Sequence, residues 1–533
     1  MGNEKLHRLL LDSAERDPDA PAYGAVLYGG LTVRAARLAG TLRNAGVRRR
    51  TRVAVALDGC EEYLVAYYGV LMAGATVVPL SPETRPANLA RTLEHSESVA
   101  LIAAGSVIRQ LSAMDRLPVR LRATLTVGAA ESGLPRVIDS IDFVTAEQDG
   151  AELFDAGAGG VELATVSYTS GTTGPPKGVM LSHRNLVSNV RSIIAYLELH
   201  AEDRLAMVLP YYYVYGNSVL HTHLAVGGSI VHAGSVAFPI RVLQAISDEH
   251  CTGLSGVPST FTSLLRVRDP GAFDLSSLRY LTQAGGPMTP EVTRRVRAVF
   301  PDSKLFVMYG QTEASARLTY LPPHDLDRKI GSVGVPISGV ALSVVDELGG
   351  PVPSGTVGEI VASGPNVMIG YLGDPVATGR VLRRGVLHTG DMGYLDEDGY
   401  LYISGRNGDM ISSGGHRIGP QEIENVVSAL PGVTECAVVG VEDEMLGQRI
   451  VALVVLRSRE CADSRLIQRA CLAKLPRFKV PSEVRVVAEL PHSDRGKLLR
   501  SAVRAQLENE MKAAHHLRTV ASLRKPDRRQ APR

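Results

Sequence analysis

The string Tyr168-Thr169-Ser170-Gly171-Thr172-Thr173-Gly174-Pro175-Pro176-Lys177-Gly178 carries the clearest local chemistry in this sequence. Its glycines let backbone amides approach a ligand closely. Hydroxyls on Thr169, Ser170, Thr172 and Thr173 stand beside them, and Lys177 adds a cation. The apolar run 163–168 before it reads as a buried strand, and a loop of this composition leaving a strand suits a polyphosphate. It is not a Walker A loop. That pattern needs glycine before the lysine and Ser or Thr after it, where Pro176 and Gly178 stand. The rival reading is a flexible linker, against which Pro175-Pro176 stiffens the chain.

Further strings follow in order. Ala284-Gly285-Gly286-Pro287 is succeeded by Tyr309-Gly310-Gln311-Thr312-Glu313, then by Thr389-Gly390-Asp391 and Tyr402-Ile403-Ser404-Gly405-Arg406. Asp409, the loop Ser412-Ser413-Gly414-Gly415 and the string Pro491-His492-Ser493-Asp494-Arg495-Gly496-Lys497 complete the series. Together with the 169–178 loop, this ordered set resembles the AMP-forming adenylating superfamily of acyl- and aryl-CoA synthetases, peptide-synthetase adenylation domains and luciferases. The look is closest to the free-standing acyl-CoA ligases. The likeness spans nearly the whole chain.

The resemblance implies roles. Residues 169–174 and Lys177 would cradle the phosphates of ATP, with Gly285 and Gly286 on the adenine side. Tyr309, followed by Gly310, would stack on adenine, an aromatic face suiting a purine. Thr312 would touch the α-phosphate. Glu313 would hold Mg²⁺, a hard ion that takes one or two carboxylates alongside phosphate. Asp391 would accept the ribose hydroxyls, with Arg406 on ribose or phosphate. Asp409 would be a hinge, and Gly414-Gly415 would line a tunnel for a pantetheine thiol. Lys497 would be the catalytic lysine. Ser493 stands where the family usually has threonine, and keeps a hydroxyl. Nine lysines occur among 57 basic residues, and two of the nine fall on the family's two lysine positions.

The implied reaction activates a carboxylic acid as its acyl-adenylate and passes it to a thiol, most simply that of CoA. The alternative acceptors are the phosphopantetheine of a free-standing carrier protein or an amine, as in natural-product assembly. Oxidation of the adenylate and non-catalytic binding are further readings. Nothing specifies oxygen chemistry, and intact Lys497, Glu313 and Asp391 speak against a mere binder. The acyl pocket is expected along 210–221, at Tyr213, Val214, Tyr215, Asn217 and Ser218, with Ala284, Gly285 and Ser315. Amino-acid-activating relatives carry an aspartate where Val214 stands. No acidic residue lies between Tyr211 and Gly234, so an α-ammonium would have no counter-charge. Tyr211 and Tyr212 read as interior aromatics.

These groups need elements to position them. The 533 residues are 45% hydrophobic and 21% charged, which excludes wholesale disorder. Formal net charge is +2, too small to recruit nucleic acid across the surface. Five scattered cysteines without a C-x-x-C pair read as a reduced, cytoplasmic chain. The apolar stretch 63–80 breaks at Gly74 and reads as helix, turn and strand, so no membrane span is expected. Short apolar runs alternate with helical segments up to about residue 333, which predicts α/β architecture. The expected fold is a large N-terminal domain, 1–408, of two α/β sheet subdomains and a small β subdomain. A small mobile α+β C-terminal domain, 409–510, follows, and then a basic tail, 511–533, read as disordered.

Overall fold

The computed structural model describes residues 4–114, 116–128, 138–157, 159–169, 176–413, 416–443, 445–457, 464–492 and 498–510. Ser170, Gly171, Thr172, Thr173 and Gly174 of the phosphate loop, Gly414, Gly415, Lys497 and the 511–533 tail lie outside the described residues.

Two large sheets dominate. The first has eight strands, and its centre is four parallel strands: Leu163–Thr169, Thr76–Pro79, Arg52–Ala56 and Ser98–Ala104. Their residues are almost all buried, as continuous apolar runs in a parallel sheet covered on both faces should be. One end closes with the antiparallel strand Lys177–Ser182 and the short edge strand Gly370–Tyr371. The second sheet has nine strands around the parallel set Ser229–His232, Arg204–Met207, Gly253–Gly256, Tyr280–Gln283 and Lys304–Tyr309.

Between the sheets lie helices Tyr28–Asn44, Glu61–Met72, His183–Leu197 and Val214–Val226. One apolar core joins them: Val53 and Val77 of the first sheet share it with Leu205 and Ile230 of the second. Glu61–Met72 is buried on every side from Tyr63 onward. That explains its membrane-like composition. The helix ends at Gly74, whose φ of +75° makes the turn into strand Thr76–Pro79. Among the described residues no helix is long and apolar enough to cross a membrane.

A third, antiparallel sheet is built from Ala341–Val345, Gly358–Ser363, Val386–Leu395, Leu382–Arg383 and Leu401–Arg406. The C-terminal region pairs Val433–Asp443 with Gly447–Leu456 and adds Glu483–Val487 in parallel. Helices Pro420–Ser428 and Ser464–Lys474 share an apolar cluster with it. A helix over 500–510 follows, which the sequence reading did not foresee.

Three histidines are buried in the inter-sheet core, and burial drives each below its ordinary pKa: His183 and His221 to about 3, His223 to about 4. They are neutral in the fold. Unfolded, each takes up a proton below about pH 6.5. Stability is therefore full above that pH and falls as the pH drops toward the folded values, by up to about 1.4 kcal/mol per pH unit for each. Denaturant unfolding followed from about pH 7 to about pH 4.5 should show this steep loss, and a flat profile over that window would contradict it.

Candidate active site

The second and third sheets meet where strand Lys304–Tyr309 ends. The Tyr309 hydroxyl donates to Asp391 Oδ2 at 2.7 Å. Burial and the neighbouring carboxylate both raise the Tyr309 phenol, so it stays protonated and donates. Arg406 Nε lies 3.3 Å from Asp391 Oδ1, because the strands pair Asp391 with Arg406. The turn before Asp391 is built to aim it. Thr389 Oγ1 donates to the Ile360 carbonyl and accepts from the Asp391 amide, while Glu359 accepts from the Gly390 amide. Three of the expected nucleotide-site residues thus converge on one point.

The chain after Tyr309 makes a tight loop. A Cβ on Gly310 would lie 2.1 Å from the Ala316 carbonyl oxygen, so only glycine fits. Ser315 and Ala316 adopt positive φ, +56° and +98°, an expensive conformation for residues with a Cβ. Asn366 holds the loop by donating to the Ala314 and Arg317 carbonyls, and accepts through its own carbonyl from Ser315 Oγ. Gly310→Ala should shift this loop and cost about 1–3 kcal/mol. The check is a loss of nucleotide affinity alongside a lowered melting temperature.

Thr312 and Glu313 occupy the single 3₁₀ turn Thr312–Ala314. Glu313 Oε1 accepts from the Tyr371 hydroxyl at 2.7 Å, and the Lys177 ammonium sits 4.8 Å above the Tyr371 ring. Tyr371 therefore ties the phosphate-loop lysine to the carboxylate expected to hold metal. Thr169 pairs with Lys177 across the hairpin, which brings both ends of the 170–175 loop together.

Four of the residues expected at the acyl pocket, Val214, Asn217, Ser218 and Ser315, line one narrow cavity beside helix Val214–Val226. Its walls mix Leu181, Leu186 and Val190 with polar groups, and it has no carboxylate among its described lining residues. Buried His221 Nε2 and Asn189 Oδ1 on that lining have no hydrogen-bond partner. Tyr213 caps the helix, partly exposed, its ring against Tyr212. Tyr215 and Ala284 do not line this cavity. They belong to the adjoining cluster with Phe306 and Met308. Gly285 and Gly286 follow strand Tyr280–Gln283 and stand against Val257 and Pro258. Tyr211 is an interior aromatic as expected, bonded to the Tyr23 hydroxyl at 2.9 Å, whereas Tyr212 is only half-buried.

Asp409 closes the short 3₁₀ turn Asn407–Asp409, and its Oδ2 is 4.0 Å from Arg500. Arg500 makes two bonds to buried Glu424. His492 pairs with Leu498, and the Leu499 amide donates to the Pro491 carbonyl.

The AMP-binding enzyme family matches residues 10–372, and its C-terminal domain matches 422–497. The chain belongs to that family. It is an AMP-forming acid–thiol ligase with the family's mixed α/β architecture. A feruloyl-CoA synthase of Amycolatopsis sp is 36% identical over 95% of this chain and 99% of its own length. A sulfoacetate–CoA ligase of Cupriavidus necator is 34% identical over 93% and 97%. The crystal structure of ATP-bound MatB from Rhodopseudomonas palustris superposes with a TM-score of 0.85 at 29% identity, covering 95% of this chain and 99% of that one.

Sequence reasoning missed Tyr371, Glu359, Asn189 and Asn366, and it held His221 in the acyl-pocket stretch without singling it out. Each is one polar residue in an ordinary helix, strand or loop, and only the fold brings it to the site.

Proposed function

We propose that this AMP-forming ligase activates a small acyl or aryl acid and passes it to CoA, using the residues placed above. The observation that carries the reading is the convergence of Tyr309, Asp391 and Arg406, with Thr312 and Glu313 on the same loop. Asp391 is held by a fixed turn between Tyr309 and Arg406, and a carboxylate keeps lone pairs with which it would accept ribose hydroxyls.

The acid's carboxylate attacks the α-phosphorus of ATP, and pyrophosphate leaves. Both partners are anionic, so the site must supply positive charge and donors fixed in advance. Lys177, the hydroxyls of the 169–173 loop, Thr312 and Lys497 would do so, with Lys497 also holding the two reactants together. Glu313 offers one hard carboxylate donor, which fits an Mg²⁺ held by one or two carboxylates alongside phosphate. When bound, that ion would supply further charge neutralisation on the phosphates. In the second step the thiol attacks the acyl carbonyl and AMP leaves. The family's hinge, at Asp409 here, would carry Lys497 away and bring Gly414-Gly415 in.

The cavity lining supports the acid class. Without a carboxylate it would leave an α-ammonium unpaired, which disfavours amino acids. CoA as acceptor is supported by exposed Arg477 and by Phe478, stacked on His416 at 4.0 Å, where a nucleotide's ring and phosphates could settle. Acid-dependent ATP–pyrophosphate exchange over a panel of acids, followed by AMP release with and without CoA, tests both halves. Exchange without CoA-stimulated AMP release would leave the adenylation standing and sink CoA as acceptor.

A further inference from the structure

Arg317 is the bulkiest side chain that the fold buries completely, at 1% exposure. Its Nε is directed at the Met308 sulfur, 3.3 Å away, and one terminal nitrogen reaches the Ala316 carbonyl at 3.3 Å. The guanidinium carbon lies 4.2 Å from the centroid of the Tyr215 ring. Among the described residues no carboxylate comes within 4 Å of it. Three half-buried arginines of the chain are paired with carboxylates instead. Arg34 has Glu61 and Glu147, Arg279 has Asp203, and Arg500 has Glu424.

A guanidinium carries five N–H donors, and a thioether is a weak acceptor. The Tyr215 face and the Tyr196 hydroxyl, which also bonds the guanidinium, offset part of the cost of burying that charge. The rest of the cost stays unless an anion arrives. The position is also held deliberately. The Arg317 carbonyl accepts from both Asn189 and Asn366, and the residue follows the strained Ala316. Arg317 stands between helix Val214–Val226 and strand Lys304–Tyr309. Ser315, two residues earlier, lines the cavity, and Tyr215, whose ring Arg317 covers, is a half-buried residue of the first turn of the same helix.

We propose that Arg317 is the counter-charge for a second oxyanion on the acid, so that the substrate class is carboxylic acids bearing a carboxylate or sulfonate at the far end. This rests on the adenylating reading of the site. The second anion pairs with Arg317 while the reacting carboxylate stays at the α-phosphate side. An acid with a neutral tail leaves the guanidinium unpaired, and a site built around a polar partner rejects the analogue that lacks it.

The test is pyrophosphate exchange on straight-chain monocarboxylic acids, on α,ω-diacids and ω-sulfonated acids of the same lengths, and on benzoic acid against its carboxy and sulfo derivatives. Wild-type enzyme should favour the doubly anionic member of a pair by about 100-fold or more in kcat/KM. The diacid and sulfonate arms identify which oxyanion it takes. Arg317→Met should lose most of that preference while keeping the KM for ATP, and Arg317→Lys should retain part of it. Preference for neutral tails in the wild-type enzyme would overturn the inference while leaving adenylation intact. So would an Arg317→Met enzyme that loses both acid types equally. Silence with every acid, despite bound ATP, would overturn the adenylating reading and this inference with it. The wild-type panel decides the matter even if the variants fail to fold.

Discussion

Lys497→Ala enzyme is expected to bind ATP and fail to form the adenylate, with acid-dependent pyrophosphate exchange falling by about 10²–10³-fold. The size follows from what is removed: a fixed cation at the point where charge moves from the acid carboxylate to pyrophosphate. The described residues that flank it are held, His492 by its bridge to Leu498 and Arg500 by its bond to Glu424. Truncating one side chain there should leave the domain folded. The second half-reaction provides the control. Preformed acyl-adenylate offered with CoA should still give thioester at near wild-type rate, because Lys497 is assigned to the first step alone. Normal exchange in the variant would show that another group supplies the charge. An equal loss in both half-reactions would point to a folding defect or to a role outside adenylation.

Asp391→Ala should raise the KM for ATP by about 100-fold or more, since it removes a buried, hydrogen-bonded carboxylate. Two groups lose their acceptor together: the Tyr309 hydroxyl, held at 2.7 Å, and Arg406, at 3.3 Å. The ribose would meet a tyrosine free to turn and an arginine free to swing into solvent. Asp391→Asn keeps the Tyr309 bond and loses the charge, so its KM should fall between the two. Isothermal titration with ATP alone separates binding from chemistry. An Asp391→Ala protein that binds ATP within about threefold of wild type would remove Asp391 from the nucleotide site.

The architecture was readable where local pattern and burial agree. The alternation of apolar runs and helical segments up to about residue 333 reappears as two large, mainly parallel sheets with helices packed on them, and Pro420 starts its helix as a first-turn proline should. Contiguous motifs were readable for the same reason. Tyr309 to Glu313 are neighbours in sequence and act as neighbours in space. The 500–510 helix was missed because charge dominates it and only Val503 and Leu507 mark its buried face. Arg317 was hidden by composition. With so few lysines, each lysine drew notice, while one arginine among many did not, and only burial sets it apart. Tyr215 and Ala284 were expected in the acyl pocket from their place in the motifs, and they lie in the cluster that adjoins the cavity of Val214, Asn217 and Ser218. The helix turns Tyr215 toward strand Lys304–Tyr309, so both pack beside the cavity.

The two-residue strand Gly370–Tyr371 has a consequence for how the molecule is made. It hydrogen-bonds to Lys177–Ser182, laid down far earlier in the chain, and it brings the tyrosine that joins Glu313 to Lys177. A ribosome-bound chain that has not yet extruded residue 371 therefore presents the first sheet with one bare edge and half a nucleotide site. Such an edge is a template for pairing with other chains. The contact that covers it closes a long loop, among the slowest to form. Synthesis stalled just short of that strand should release aggregation-prone, ATP-blind fragments, and a few residues more should rescue both properties together.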